Sequence, residues 1–288
     1  MTGVLQSTLG NLPEFFIVLF ALSAGELVVA RTSILGSIFA NALLVLGIVL
    51  LAGCHASEDG VMRFHTRLPK DNAVLLLLTS FLIVLIGLSV ATDDNASTHV
   101  TAISVVGAVA LLVTYGVWLY DYLRSDMPRE GGAAQRVSLT LSFALLAAGG
   151  VGAAFVSDWF ITALTPAIQV LHISPTFTGL VIVALAGNAV ENVVGIQLMA
   201  ANKPDYAISV IMNSSLQVAL FLIPVLVLLS LVLGGAYLTL VVPPLLLVAL
   251  GFAALLGAII IYDGKSTWLE GLTLIGLYCI LAVSFWWG

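Results

Sequence analysis

The stretch "LAGNAVENVV", Leu185 to Val194, places a glutamate inside a long run of apolar residues. Glu191 follows Asn188 by three residues and Gly187 by four. A charged side chain at the centre of a bilayer costs roughly 2.5–3.5 kcal/mol on membrane-insertion scales. Because residues three apart share one face of a helix, Asn188 and Glu191 form a polar face that requires a partner in the folded protein.

The composition around this stretch is that of a membrane protein. Of 288 residues, 61% are hydrophobic and 8% are charged, and the mean hydropathy is +1.17. A soluble domain averages about 45–50% apolar and about 25% charged residues. We therefore predict an all-α polytopic membrane protein in a lipid bilayer, and we expect no nucleic-acid partner.

Nine segments are long and apolar enough to cross a bilayer, which takes about 20 residues of helix. Residues 159–174 either extend the fifth segment or lie along the membrane interface. The nine segments are 4–29, 31–53, 73–93, 99–123, 137–158, 175–201, 207–233, 236–261 and 267–287.

Basic residues test this number of spans, because lysine and arginine favour cytoplasmic loops. With nine spans, only Arg31 falls on the side opposite to the other basic residues. The split predicts a cytoplasmic N-terminus for the chain as given and a C-terminus outside, in the plasma membrane if the source is bacterial. The eight residues that share one side are Arg63, Arg67, Lys70, Arg124, Arg129, Arg136, Lys203 and Lys265.

The opening motif has a second copy near the start of the chain. Aligned at a constant offset of 177, "GNLPEFFIVLFALSAGELVVARTSILGSIFANAL" (10–43) and "GNAVENVVGIQLMAANKPDYAISVIMNSSLQVAL" (187–220) are identical at nine of 34 positions. The pattern Gly-Asn-x-x-Glu occurs in both, and each copy is followed at the same distance by a serine, Ser37 or Ser214. The two copies fall on the first and sixth predicted spans, which cross the membrane in opposite directions.

Inverted repeats of this kind are typical of secondary transporters, whose ion sites lie near the midplane where the repeats meet. The fifth predicted span has no counterpart in the first half, so we expect a ten-helix architecture that lacks its first helix. The predicted organisation is a first repeat at 1–123 with the Gly10–Glu14 motif, a cytoplasmic loop at 124–136, and a second repeat at 137–288 with the Gly187–Glu191 motif.

The motif residues can supply oxygen atoms to a hard cation. Glycines permit a break in the helix, at Gly10 and Gly187, and Pro13 cannot donate a hydrogen bond to the carbonyl of Leu9. Two carboxylates would balance a divalent charge, and Ca²⁺ takes six to eight oxygens. The empty site would be neutralised by protons, so cation and protons would compete for it. Polar faces at spacing four follow each motif: Ser33, Ser37 and Asn41, then Ser209, Asn213 and Gln217.

The paired motifs, with "SILGSIFANALLVLG" (33–47) and "NSSLQVALFLIPVLVLL" (213–229), resemble the two α-repeats of the cation/Ca²⁺ exchanger superfamily. They are most similar to its Ca²⁺/H⁺ antiporters of the CAX type. The resemblance implies alternating access and Ca²⁺ export driven by protons, with Glu14 and Glu191 as the essential carriers. The expected cation- and proton-binding residues are Glu14, Glu191, Asn11, Asn188, Ser37, Ser214, Asn213 and Gln217, with the two glutamates as the metal ligands.

Other functions remain open at this point. The chain could exchange another pair of ions, Na⁺ for Ca²⁺ or H⁺ for Mn²⁺, or it could be a truncated remnant that binds cations without transporting them. A membrane-embedded hydrolase is disfavoured, because neither a histidine nor a pair of aspartates lies at the midplane of the predicted spans. We therefore predict an ion transporter that is not an enzyme and has no cofactor, with Ca²⁺ and H⁺ as substrates. The oligomeric state is not predicted.

Overall fold

The computed structural model describes residues 10–124, 139–233 and 237–287, and almost all of them are helical. Helices α1 (Leu12–Ser23), α2 (Leu27–Ala56), α3 (Arg67–Ala91) and α4 (Val100–Arg124) form the first half. In the second half, α5 (Leu139–Leu171) is followed by α6 (Pro175–Gly187) and α7 (Ala189–Ala200), and then by α8 (Pro204–Ser230), α9 (Pro244–Ile261) and α10 (Trp268–Ser284).

Each of the nine predicted segments contains a helix among its described residues, but several boundaries differ. Among the described residues, six helices are long and apolar enough to span a membrane, or seven if the bent pair α6–α7 is one span, whereas α1 and α10 are shorter. The eighth predicted segment starts at 236, yet its helix begins only at Pro244, the second residue of the pair Pro243–Pro244. Of residues 159–174, for which the sequence leaves two alternatives, 159–171 continue α5, which runs unbroken through Pro166. The predicted loop 124–136 lies, apart from Arg124, outside the described residues.

A two-stranded antiparallel sheet closes one end of the helical bundle. Strand β1 (Val61–Arg63) follows α2, and strand β2 (Lys265–Thr267) precedes α10, with Met62 opposite Ser266. His65 adds a contact to Asp205 at the start of α8, with 2.9 Å between the imidazole Nδ1 and the carboxylate. We call this the sheet end of the bundle, and the opposite one the far end.

The helix directions show that the two halves are inverted relative to each other. Helix α2 runs towards the sheet end, where β1 follows it, whereas α8 starts at the sheet end and runs away from it. In the same way α1 runs towards the far end and α7 towards the sheet end. The sheet end carries Arg63, Arg67, Lys70, Arg124, Lys203 and Lys265, while Arg31 lies near the far end, as the predicted charge split requires.

The core of the bundle is formed by α2 and α8. Of their most apolar 18-residue windows, 83% and 78% are buried, compared with 17% for α5 and 28% for α4. Each contains a wide π-helical turn in its middle, Ala40–Val45 in α2 and Val218–Leu222 in α8. Such turns occur frequently at functional sites, since they shift the side chains that follow them around the helix. Asn41 lies within the turn of α2, and Gln217 lies directly before the turn of α8.

Candidate cation site

The second Gly-Asn-x-x-Glu motif lies at a break between helices, and the first lies at the start of one. Helices α6 and α7 meet at Asn188 with a bend of 59°, and Asn188 itself leaves the helical conformation at φ −100° and ψ 13°. In the first copy, α1 begins immediately after Asn11. The break of the second motif therefore falls at Asn188, next to the predicted Gly187, and residues 1–9 ahead of the first motif lie outside the described residues. Glu14 and Glu191 are each the third residue of the helix that follows.

Pro13 lies in the first turn of α1, where its missing N–H would have no partner in the helix. It therefore does not interrupt α1. Its own carbonyl accepts a hydrogen bond from Ser157 Oγ of α5, at 3.2 Å. The carbonyl of Leu9, which the sequence predicts to be free, lies outside the described residues.

The two motifs pack against each other reciprocally. A methyl group built on Gly10 would overlap the carboxylate of Glu191, and one built on Gly187 would lie 3.4 Å from Cβ of Glu14. The glycine of each motif therefore makes room for the glutamate of the other. This contact brings the two carboxylates to the meeting point of the two repeats, close enough for their charges to repel.

Both glutamates are buried, and neither forms an ion pair with a described residue. Glu14 is 1% exposed and Glu191 is 6% exposed, and none of their four carboxylate oxygens accepts a hydrogen bond within 3.5 Å from the described residues. Buried polar groups in native proteins nearly always have partners, and unpaired buried charges are very costly. The four oxygens are therefore available to a proton or a cation.

A network of amides and hydroxyls joins the repeats beside the glutamates. Asn188 Nδ2 donates to Ser37 Oγ at 2.8 Å and to the carbonyl of Ala184 at 3.0 Å. In the inverted half, Ser214 Oγ donates to Asn11 Oδ1 at 3.4 Å. The asparagine of each motif thus contacts the serine that belongs to the other repeat. This pairing follows the alignment of Ser37 with Ser214 and of Asn11 with Asn188.

Two longer amide side chains extend this network. Gln217, the last residue before the π turn of α8, accepts a hydrogen bond from Asn11 Nδ2 at 3.0 Å. Asn41, inside the π turn of α2, donates to Ser214 Oγ at 3.1 Å and to Asn188 Oδ1 at 3.5 Å. Asn41 and Gln217 thus take corresponding places, although they are one residue out of register in the repeat alignment.

Asn41 is a site residue that the predicted set did not include. It is 1% exposed, and its Oδ1 has no hydrogen-bond partner among the described residues. Its spacing of four from Ser37 was the available indication in the sequence.

Asn213, by contrast, was predicted to belong to the site and lies apart from the network. Its Oδ1 accepts a hydrogen bond from Asn72 Nδ2 of α3 at 3.0 Å. Asn213 and Ser214 are neighbours in an α-helix, so their side chains point about 100° apart. Seven of the eight predicted residues are therefore brought together.

The cluster offers only oxygen atoms as ligands. It combines two carboxylates with the amide and hydroxyl oxygens of α2 and α8, which is the donor set that hard cations prefer. Within the described ranges no three His, Cys, Asp or Glu side chains form a metal-binding group, so the two glutamates are the only acids at this site. Their combined charge of −2, when both are ionised, matches one divalent cation or two protons.

Comparisons with known proteins find similar sequences and structures over nearly the whole chain. The family profile described as "Sodium/calcium exchanger protein" matches residues 1–121 and 141–287. A Ca²⁺/H⁺ antiporter of Aphanothece halophytica is 30% identical over 98% of this chain and 81% of its own length. The vacuolar calcium ion transporter of Schizosaccharomyces pombe is 31% identical over 98% of this chain and 71% of its own. The solved structure of native YfkE superimposes with a TM-score of 0.81 at 29% identity, covering 99% of this chain and 83% of that one.

Proposed function

Since this chain belongs to the sodium/calcium exchanger family, we propose that it is a secondary active antiporter that exchanges Ca²⁺ for H⁺ across a membrane. The observation that carries the proposal is the pair of buried glutamates, Glu14 and Glu191, whose oxygens have no hydrogen-bond donor in the described protein. Relatives named as Ca²⁺/H⁺ antiporters, at about 30% identity over nearly the whole chain, support the choice of ions.

The two carboxylates serve both ions in turn. When both are ionised, they balance the charge of one Ca²⁺, and the amide and hydroxyl oxygens of Asn11, Asn188 and Ser214 complete its shell. When Ca²⁺ leaves, the repelling carboxylates bind protons, because two adjacent charges in an apolar environment are strongly disfavoured. Either form of the site is close to neutral and can be moved between two conformations without leaving a charge unpaired.

The inverted repeat supplies a physical basis for alternating access. The site lies where α1, α2, α7 and α8 meet, and each repeat contributes one glutamate, one asparagine and one serine. If each repeat adopts the conformation that the other now has, the site opens to the opposite side of the membrane. The break at Asn188 is a point at which α6 and α7 can change direction without disrupting hydrogen bonds inside a regular helix, and α1 starts directly after the corresponding Asn11.

Transport assays on the reconstituted protein test this proposal. We expect ⁴⁵Ca²⁺ uptake into proteoliposomes with an acidic lumen, and we expect a protonophore to abolish it. The same vesicles with a sodium gradient in place of the pH gradient distinguish Ca²⁺/H⁺ from Na⁺/Ca²⁺ exchange, and Mn²⁺ in place of Ca²⁺ tests the cation. Uptake that follows only the sodium gradient would contradict the proposed coupling to protons.

A further inference from the structure

Arg31 is the basic residue that the charge split leaves alone at the far end, and the site described above does not use it. It lies one turn inside α2, whose neighbouring residues Ala30 and Thr32 are 0% and 1% exposed. The guanidinium donates from Nη2 to Thr239 Oγ1 at 2.9 Å, while Nε is buried with no partner among the described residues. Within the described ranges Arg31 forms no ion pair with a carboxylate.

The partner of Arg31 belongs to an extended segment that covers the far end of the bundle. In residues 237–243 the side chains alternate, so that Leu238, Leu240 and Val242 are buried while Tyr237 is exposed. Two backbone N–H groups of the segment are held by serines, Leu238 by Ser230 and Leu240 by Ser104. We call residues 237–243 the capping segment.

Beneath the capping segment, Arg31 borders a small cavity with otherwise apolar walls. The walls come from α2, α3, α8 and the capping segment itself, and Thr239 supplies the other polar side chain. On α2, Arg31 is six residues from Ser37, which is roughly 9 Å along the helix. On α8, the cavity residue Ile223 is likewise six residues from Gln217. The cavity therefore lies on the far-end side of the cation site, between the two helices that carry it.

We propose that Arg31 and the capping segment form a gate at the far end, in which the positive charge keeps cations and protons out of the site from that side. The inference rests on the proposed exchange function, because an exchanger must prevent its ions from leaking past the site without exchange. A fixed positive charge in a narrow, apolar passage is an effective barrier to cations and to protons. No carboxylate in the described part of the chain forms an ion pair with that charge, which distinguishes Arg31 from a residue that merely forms a structural ion pair.

A proton-leak measurement tests the gate without requiring Ca²⁺ transport. Wild-type protein and the variants Arg31→Gln, Arg31→Met, Arg31→Lys and Thr239→Val are reconstituted into vesicles with a pH-sensitive dye in the lumen. The proton flux driven by a potassium diffusion potential is then recorded in the absence of Ca²⁺. We expect both neutral variants to raise the proton flux on the order of tenfold. This is the effect of removing the repulsion between one unit charge and a proton about 10 Å away in a partly buried environment. Arg31→Lys, which keeps the charge, and Thr239→Val, which keeps the arginine, should remain close to wild type.

Three results would overturn the proposal. If the neutral variants showed the same proton flux as the wild-type protein, the charge of Arg31 would form no barrier. If Arg31→Lys leaked as much as Arg31→Gln, the role of Arg31 would be to pack the cavity. If Thr239→Val gave as large a proton flux as the neutral variants, the barrier would depend on the anchoring of the capping segment and not on the charge. Ca²⁺/H⁺ exchange is measured separately on the same vesicles, so that failure of the proposed transport function is distinguished from failure of the gate.

Discussion

Gly10 lies directly against the carboxylate of Glu191, so that any side chain at position 10 would occupy the space of the glutamate. The corresponding contact in the other repeat, Gly187 against Glu14, is looser. The glycine of each motif therefore determines where the glutamate of the opposite repeat can lie. This explains why glycine and glutamate recur together in both copies.

Gly10→Ala should displace Glu191 and weaken Ca²⁺ binding. Overpacking of this kind typically costs about 1–3 kcal/mol, which corresponds to roughly a fivefold to hundredfold loss of affinity if it falls on the bound state. Gly187→Ala should have a smaller effect, since its new methyl group would be at an ordinary contact distance from Glu14. Gly116→Ala in α4 is a matched control, because a methyl group there meets no atom within 4 Å. Titration with Ca²⁺ in detergent provides the comparison, and equal affinities for Gly10→Ala and Gly116→Ala would refute the packing argument.

Asn188→Ala and Asn213→Ala are a matched pair of variants. They distinguish a residue of the cation site from one that makes a structural contact beside it. Asn188→Ala removes an amide that holds Ser37, and we expect Ca²⁺ affinity to fall by about tenfold or more, in line with the loss of a good ligand or its positioning partner. Asn213→Ala leaves Asn72 without its acceptor and should lower the stability by about 1–3 kcal/mol.

The two properties should therefore respond differently in these variants. Calcium titration reports the affinity, and thermal unfolding in detergent reports the stability. Affinity should remain near wild type in Asn213→Ala, which is the result that distinguishes a structural contact from a ligand. Equal losses of Ca²⁺ affinity in both variants would show that Asn213 takes part in Ca²⁺ binding.

Asn41→Ala tests whether the additional residue found in the structure takes part in binding. The variant removes the buried, unpartnered Oδ1 and the donor to Ser214. We expect a loss of Ca²⁺ affinity comparable to that of Gln217→Ala, because the two amides take corresponding places in the two repeats. Wild-type affinity in Asn41→Ala, alongside a clear loss in Gln217→Ala, would show that the two repeats contribute unequally.

Glu14→Gln and Glu191→Gln should each abolish proton-driven Ca²⁺ uptake, because a single remaining carboxylate neither balances a divalent ion nor carries two protons. Glu26→Gln is the control. Glu26 lies near the far end and accepts a hydrogen bond from Thr165 at 3.4 Å, away from the site. Uptake into proteoliposomes and the yield of monodisperse protein are measured together, and wild-type uptake in either site variant would remove that glutamate from the mechanism.

The helical segments and the two glutamates could be predicted because each leaves a local pattern in the sequence. Long apolar runs predict spans, and a polar motif repeated at a fixed offset predicts a shared site. Asn41 and Asn213 could not be assigned in this way. Asn41 lies inside the π turn of α2, which shifts the side chains around the helix. Asn213 precedes the π turn of α8, and its contact with Asn72 depends on how α3 packs against α8.

The start of α9 was misplaced for a related reason. The apolar residues of the capping segment satisfy a hydropathy criterion for a span, yet they alternate in burial as an extended chain does. Pro243 and Pro244 favour the start of a helix at that point and disfavour its extension further back. Likewise, the pairing of β1 with β2 joins loops about 200 residues apart, and neither three-residue strand has a pattern strong enough to predict it.

The most direct test of the central claim is to count the protons released when Ca²⁺ binds to the purified protein in weakly buffered detergent solution. If Glu14 and Glu191 bind Ca²⁺ and protons in turn, the wild-type protein should release protons on binding Ca²⁺. Its dissociation constant should also rise about tenfold per pH unit of acidification for each proton displaced. Glu14→Gln and Glu191→Gln should lose both the binding and the proton release, whereas Glu26→Gln should keep them. Ca²⁺ binding of wild-type strength in either site variant, or binding to the wild-type protein without any release of protons, would contradict the account.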